Sequence, residues 1–371
     1  MKQNWEVKKL GEVCKVTAGQ SPEGKYYNSI ADGLPFYQGK KEFTEKYIGK
    51  PTTWTTKVTK EAEEFDILMS VRAPVGPINY ATQKICIGRG LASIKAGKNI
   101  EKEYLFNFLI KHENEIVGNN GAVFNSINKA QIEAIEIPLP PLQEQQRIVA
   151  ILDEAFRAID KAKANTEQNL KNAKELFESE LQRVFSEKGD GWEEKKLIDV
   201  CEELFAGGDV PKNNSSKFET NEYKIPIFSN GEKNKGLYGF TNTARVNKPS
   251  ITISARGTIG YSEIRNEAFY PAIRLIVVTP KLDIIELKYL KYVIGGIDFT
   301  HSGSSIPQLT VPMIKEYLIS YPSLKDQQTI VSKLDALREQ TKKLEAVYEK
   351  KLQDLEELKK SVLSKAFSGE L

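Results

Sequence analysis

The sequence predicts an α+β chain with an internal repeat. Two globular domains of mixed strand and helix are each followed by one long helix, and the two helices pack on each other. Three observations predict it. From Ile148 the apolar positions step by four and three (Ile148, Leu152, Ala155, Ile159, Ala162, Thr166, Leu170, Ala173, Phe177, Leu181), the narrow stripe of a coiled-coil helix. A second stripe runs Ile330, Leu334, Leu337, Thr341, Leu344, Tyr348, Leu352, Leu355. Its lead-in, with Pro322, Leu324, Gln327, Gln328 and Asp335, stands 182 residues after Pro140, Leu142, Gln145, Gln146 and Asp153. Ahead of the helices, WEVKKLGEVC (5–14) and WEEKKLIDVC (192–201) open two strand-rich regions.

The first domain, 1–140, reads as strands within 34–43, 65–76, 84–96 and 132–140, from their Ile, Val, Tyr and Phe content and Gly/Pro punctuation, with a helix at 101–112. Residues 141–188 form the first long helix. Pro138, Pro140 and Pro141 cannot continue a helix but suit its first turn, and no Gly or Pro interrupts the run before Gly189. A rod that long with so narrow a stripe needs a partner helix. The second domain, 189–320, repeats the pattern with strands within 223–236, 250–264, 271–280 and 314–322 and a helix at 286–296. Residues 321–371 form the second long helix. Inside the domains, Arg72 in SVRAPVG corresponds to Arg256 in SARGTIG, Gly76 to Gly260, and Gly121 in GAVFNSIN to Gly303 in GSSIPQLT. Elsewhere the domains differ, as expected if each faces a different target.

Composition narrows the class. No stretch of apolar residues is long enough to span a membrane, and MKQNWEVKKL lacks the apolar core of a signal peptide. Three scattered cysteines, Cys14, Cys86 and Cys201, imply reduced thiols; Cys14 and Cys201 share one repeat position and read as small core residues. The net charge is +3 and no region is strongly basic, so nucleic-acid binding would come from local patches. Catalytic signatures are missing: there is no N/D-P-P-Y/F tetrapeptide of an adenine methylase and no G-x-x-x-x-G-K-S/T. GRGLAS (88–93) mimics a dinucleotide motif, but the residues that follow read as strand. His112, read as ending a helix, and His301, in a loop, have no partner at ligand spacing. The chain is therefore expected to be non-catalytic.

The Trp-x-x-x-x-Leu openings, the lead-in I-P-L-P-P-L-x-E-Q-x-x-I-V-x-x-L-D at 137–153, the late glycine turns and the closing AFSGEL (366–371) together resemble the specificity subunit of type I restriction-modification systems. The resemblance covers the whole chain. It implies that the globular regions are target recognition domains, each reading half of a split DNA site. It also implies that the long helices form an antiparallel coiled coil that spaces them. The implied partners are double-stranded DNA, two methyltransferase subunits and restriction subunits, in the cytoplasm. No cofactor is implied in this chain; S-adenosylmethionine, ATP and Mg2+ would sit on the partner subunits. The chain departs from the pattern at Ser323 and Asp326, and at Asn125 and Asn128, which read as replacing the Gln and Thr kept as Gln308 and Thr310.

The expected DNA contacts lie in loops. Gln38, Lys40 and Lys41 in one domain, and Asn230, Lys233, Asn234 and Lys235 in the other, follow Pro-aromatic strands. Lys suits phosphates, while Asn, Gln and Arg suit base edges. Arg72 and Arg256 read equally as phosphate contacts or structural ion pairs. The late turns add Asn125 and Ser126, and Ser304, Ser305 and Gln308. Gln145, Gln146, Gln327 and Gln328, near the two helix starts, are the expected methyltransferase contacts. An alternative reading is a coiled-coil adaptor whose globular ends bind proteins. If the helices set the unread gap, seven residues inserted after Ala173 alone would lengthen or shift it.

Overall fold

The computed structural model describes residues 5–118, 126–297, 299 and 308–371, with backbone only at 114–118. Asn125, His301, Ser304 and Ser305 lie outside the described residues. The chain divides into two compact units, Met1–Glu167 with Lys350–Leu371, and Gln168–Glu349. Each unit thus holds one globular domain and parts of both long helices, Leu142–Ser186 and Leu324–Ser368.

The two units use one scaffold. In the first, an antiparallel sheet runs in the order Cys14–Ala18, Leu91–Ala96, Ile67–Ser70, Ile78–Tyr80; in the second the order is Cys201–Ala206, Ile276–Pro280, Ser250–Ile253, Ser262–Arg265. A second sheet in each unit contains a parallel pair, Leu34–Tyr37 on Ile85–Ile87 and Ile225–Phe228 on Tyr270–Pro271. Each domain is closed by a two-stranded ribbon joining its first and last strands, Glu6–Lys9 with Glu136–Leu139 and Glu193–Lys196 with Leu318–Tyr321. The expected strands at 132–140 and 314–322 begin as short helices, Lys129–Glu133 and Val311–Ile314, before the strand proper. The expected helix at 101–112 extends over Lys102–Gly118, so His112 lies within it rather than at its end, stacked on Phe108.

The long helices run antiparallel within each unit. In the first, Arg147 donates to the Leu371 carbonyl and Lys163 pairs with Glu356 at 2.7 Å, so the numbering of one helix rises as the other falls. In the second, Phe177 and Leu181 pack with Leu334, and Phe185 with Ile330. The reason is visible in the cores. The domain helix of the first unit buries Tyr104 against Phe367, from the end of the second long helix; in the second unit Tyr289 meets Phe185, from the end of the first. Phe185 and Phe367 are repeat mates, so each long helix ends in the socket where its counterpart ends in the other repeat. The first stripe is buried as expected at Ile148, Leu152, Ile159, Thr166, Ala173, Phe177 and Leu181, but Leu344 in the second is 41% exposed.

Gln145 and Gln327 correct the expectation of partner contacts. Both are fully buried, at 0% exposure. Gln145 Nε2 donates to the carbonyls of Asn99 and Pro140 at 3.1 and 2.7 Å, and its Oε1 accepts the Glu101 N–H at 2.8 Å. Gln327 repeats the arrangement with Ile284 (3.0 Å), Pro322 (2.9 Å) and the Glu286 N–H (2.8 Å). Each glutamine latches a long helix to the start of its domain helix and has no surface left for a partner, whereas Gln146 and Gln328 are exposed. Gln145→Leu strands three buried backbone groups and is expected to cost about 2–3 kcal/mol, against under about 0.5 kcal/mol for Gln146→Leu. Thermal melts compare the two; equal losses would reject the latch.

Candidate nucleic-acid interface

In the first unit a chain of backbone hydrogen bonds gathers four loops at one edge. The Gln38 carbonyl accepts the Gly90 N–H at 3.0 Å, the Gly90 carbonyl accepts the Val71 N–H at 2.9 Å, and the Val71 carbonyl accepts the Ile127 N–H at 3.0 Å. A Cβ at Gly90 would lie 2.3 Å from the Gln38 carbonyl oxygen, so this approach requires glycine. Arg72 forms a bridge to Ser126. Gln38, Arg72 and Ser126 are therefore brought together. Lys40 and Lys41 are exposed in the 3-10 turn that follows Gln38. Lys40 has an acidic neighbour: burial raises the Glu113 carboxyl above its usual range, and Lys40 opposes that rise.

The second unit gathers the corresponding loops differently. The Ala255 carbonyl accepts the Leu309 N–H at 2.9 Å, matching Val71 and Ile127. This correspondence sets Ser126, not Asn125, opposite Gln308, which corrects the sequence alignment of the late turn. Gly76 and Gly260 close the same loop in both units, each at positive φ and each donating to a serine carbonyl, of Ser70 and Ser254, at 3.0 Å. The arginine of that loop, Arg256, donates from Nη2 to Gln308 Oε1 at 2.9 Å. Among the described residues neither Arg72 nor Arg256 forms an ion pair, and both are exposed, so the ion-pair alternative has no partner there.

The whole chain carries this doubled scaffold, and its comparisons agree. The model of the type I restriction modification DNA specificity domain matches residues 2–172 and again 189–356. The chain belongs to the type I restriction-modification specificity family. A chain named as the MjaX specificity subunit of Methanocaldococcus jannaschii is 43% identical over 180 residues, 47% of this chain and 42% of that relative, so this match spans less than half of it. A type I specificity subunit named in Mycoplasma pneumoniae is 33% identical over 79% of this chain and 86% of its own. A solved chain from the assembly of a type I restriction-modification system superposes with a TM-score of 0.84 at 21% identity, covering 100% of this chain and 99% of that one. The HsdS subunit from Thermoanaerobacter tengcongensis gives 0.68 at 21% identity, covering 100% and 98%; these two likenesses establish the fold. As a type I specificity subunit, the chain is a sequence-specific DNA-binding protein without a catalytic role of its own.

Within the specificity subunit, the structure divides the expected DNA contacts. Gln38, Lys40, Lys41, Lys233 and Asn234 are exposed, though Gln38 Oε1 also accepts the Ser21 hydroxyl at 2.8 Å. Asn230 is not a free reader: its Nδ2 donates to the Ile273 carbonyl and its Oδ1 accepts the Ala255 N–H at 2.7 Å, so both ends of the amide tie loops together. Lys235 is engaged too, paired with Glu263 at 3.2 Å. Burial works against the Glu263 carboxylate, but Lys291 and Lys235 outweigh it and hold its pKa below the usual range. Replacing Lys233 is thus expected to weaken all DNA sequences alike and to reduce the salt dependence by about one unit of slope. Lys235→Ala loses an ion pair first; binding titrations across salt concentrations compare the two.

Sequence reasoning missed two exposed arginines beside these loops. Arg89 sits in the glycine turn 88–90, within GRGLAS, and Arg274 in the matching turn of the second unit. The available signal was their place immediately before a core strand. Burial pushes the Cys14 and Cys201 thiols up to about 11 and about 12. Among the described residues no helix is long and apolar enough to cross a membrane.

Proposed function

We propose that each unit reads one half of a split DNA site and that the chain directs two methyltransferase subunits, and with them restriction subunits, to that site in the cytoplasm. The observation that carries the reading is a common hydrogen-bonded scaffold bearing different loop residues: Gln38, Arg72 and Ser126 in one unit; Asn234, Arg256 and Gln308 in the other. S-adenosylmethionine, ATP and Mg2+ belong to the partner subunits in this reading. The phosphate-binding lysines position the duplex, and the amide and guanidinium groups read bases. In a mobility-shift assay with purified methyltransferase, the complex is expected to retain a split-site duplex over random duplexes; equal retention overturns the reading.

Two copies of one partner fit a second observation. Leu176 and Leu358 are repeat mates on the long helices and are 49% and 48% exposed, and Gln146 and Gln328 are exposed repeat mates as well. Leu176→Asp and Leu358→Asp are each expected to release one methyltransferase copy. Mass measurement of the assembled complex decides it, and a 1:1 complex of the unaltered chain at saturation rejects the stoichiometry.

A further inference from the structure

We infer that Arg89 and Arg274 each read a guanine edge, one in each half of the DNA site, from turns whose backbone is held by hydrogen bonds to neighbouring loops. This rests on the split-site reading above. The turns are equivalent. The Leu91 N–H donates to the Gly88 carbonyl at 3.0 Å and the Leu275 N–H to the Ala272 carbonyl at 3.1 Å, and each turn leads into an inner strand of its four-stranded sheet. Both arginines are exposed, and neither forms an ion pair among the described residues.

Each turn is braced by hydrogen bonds from the loops beside it. In the first unit the Arg89 N–H donates to the Ser21 hydroxyl at 3.2 Å, and Gly90 is bonded on both sides, to the Gln38 carbonyl and from the Val71 N–H. In the second unit Ile273 and Arg274 hold φ values of 54° and 65°. That region is unfavourable for any side chain and most so for a β-branched one, and it persists only where surrounding bonds impose it. Those bonds are present: Ile273 N–H to the Gly208 carbonyl at 2.8 Å, Arg274 N–H to the Gly207 carbonyl at 3.2 Å, and the Asn230 amide on the Ile273 carbonyl.

A backbone fixed this closely sets the direction in which the side chain leaves. Phosphate contact does not need that, because a lysine on a mobile loop reaches a phosphate from many directions. Bidentate pairing of a guanidinium with the O6 and N7 acceptors of guanine does. The shared turn bond sets Gly88 opposite Ala272, and hence Arg89 opposite Ile273 and Gly90 opposite Arg274. The arginine therefore leaves the second turn one position later than the first. One scaffold thereby points the same chemistry at different bases in the two half-sites.

The test uses the specificity subunit with its methyltransferase partner and reads the methylated motif by modification-sensitive sequencing. R89A is expected to relax one guanine position in one half-site and R274A one in the other, each losing roughly 5- to 150-fold in discrimination at that pair. R89K and R274K keep the charge but not the fork, and are expected to relax the same positions with the salt dependence unchanged. An unchanged motif in either alanine variant overturns the inference. So does uniform weakening of all sequences with a reduced salt slope, which marks phosphate contact. A melt matching the unaltered chain excludes misfolding. Absence of any split motif with the unaltered chain sinks the split-site reading instead, so the two failures are distinct.

Discussion

Exchanging residues 15–136 for the matching part of a relative is expected to change one half of the methylated motif completely and leave the other half intact. The exchanged piece contains Gln38, Lys40, Arg72, Arg89 and Ser126, while the corresponding loops of the second unit are untouched. The frame that stays behind is continuous with the core: the ribbon strand Glu6–Lys9 pairs with Glu136–Leu139, and Ile137, Leu152, Leu363 and Phe367 share one buried cluster with Tyr104, Leu105 and Leu109. The incoming sequence must therefore supply the residues that meet this frame. Tyr104 is one, because its hydroxyl donates to the Pro138 carbonyl at 2.8 Å and its ring meets Phe367. Residue 101 is another, because its N–H is held by Gln145. A donor with an aromatic at 104 is expected to fold; one without it strands the socket. Sequencing of methylated adenines checks the outcome, and a chimera that altered both halves would refute independent reading.

The second large effect comes from lengthening the helices, and the structure changes how it must be done. The long helices have the same span of 45 residues. Each is anchored at both ends, by Gln145 and Phe185 in the first and by Gln327 and Phe367 in the second. Seven residues inserted after Ala173 alone would leave one pair of anchors out of register with the other. We expect that variant to lose stability and site-specific methylation together, rather than simply to lengthen the gap. The insertion must be matched in the antiparallel partner, after Thr341. Seven residues return each apolar side chain to the same face. They add about 10 Å of helix, equivalent to about 3 base pairs at 3.4 Å each. That displacement also turns one reading element by about 100° around the duplex, so DNA twist or helix bending must absorb it and affinity is expected to fall. The matched variant should keep both half-site sequences and change the gap by up to about 3 base pairs. An unchanged gap in the matched variant would show that the helices are not the ruler.

Much of the architecture was legible because it is written locally. The step of four and three in Ile148–Leu181 is a property of one helix, and it led to the right buried face at seven positions. Leu344 failed because its periodicity is correct but the facing surface does not cover it, and facing surfaces are not encoded in spacing. The 182-residue offset revealed the repeat directly, since the two halves kept the same lead-in residues. Matching Asn125 to Gln308 by side-chain type broke that offset by one residue; the offset itself sets Ser126 on Gln308, and the hydrogen bonds of Ile127 and Leu309 agree with it.

The sequence by itself determined the repeat, the two long helices, the strand-rich domains and the family, because each rests on periodicity or on a motif within one short stretch. Only the tertiary structure decided the roles of the polar residues. Gln145 and Gln146 are neighbours of identical chemistry, yet one is a buried latch and the other an exposed surface amide. Asn230 and Asn234 share a loop, yet one braces two other loops and the other is exposed. Arg89 and Arg274 drew no attention as residues until the turn that holds each was seen against the loops beside it. A polar group in the chain has only a capacity for hydrogen bonds. Whether that capacity is satisfied internally or remains open to DNA depends on which distant backbone groups fold against it.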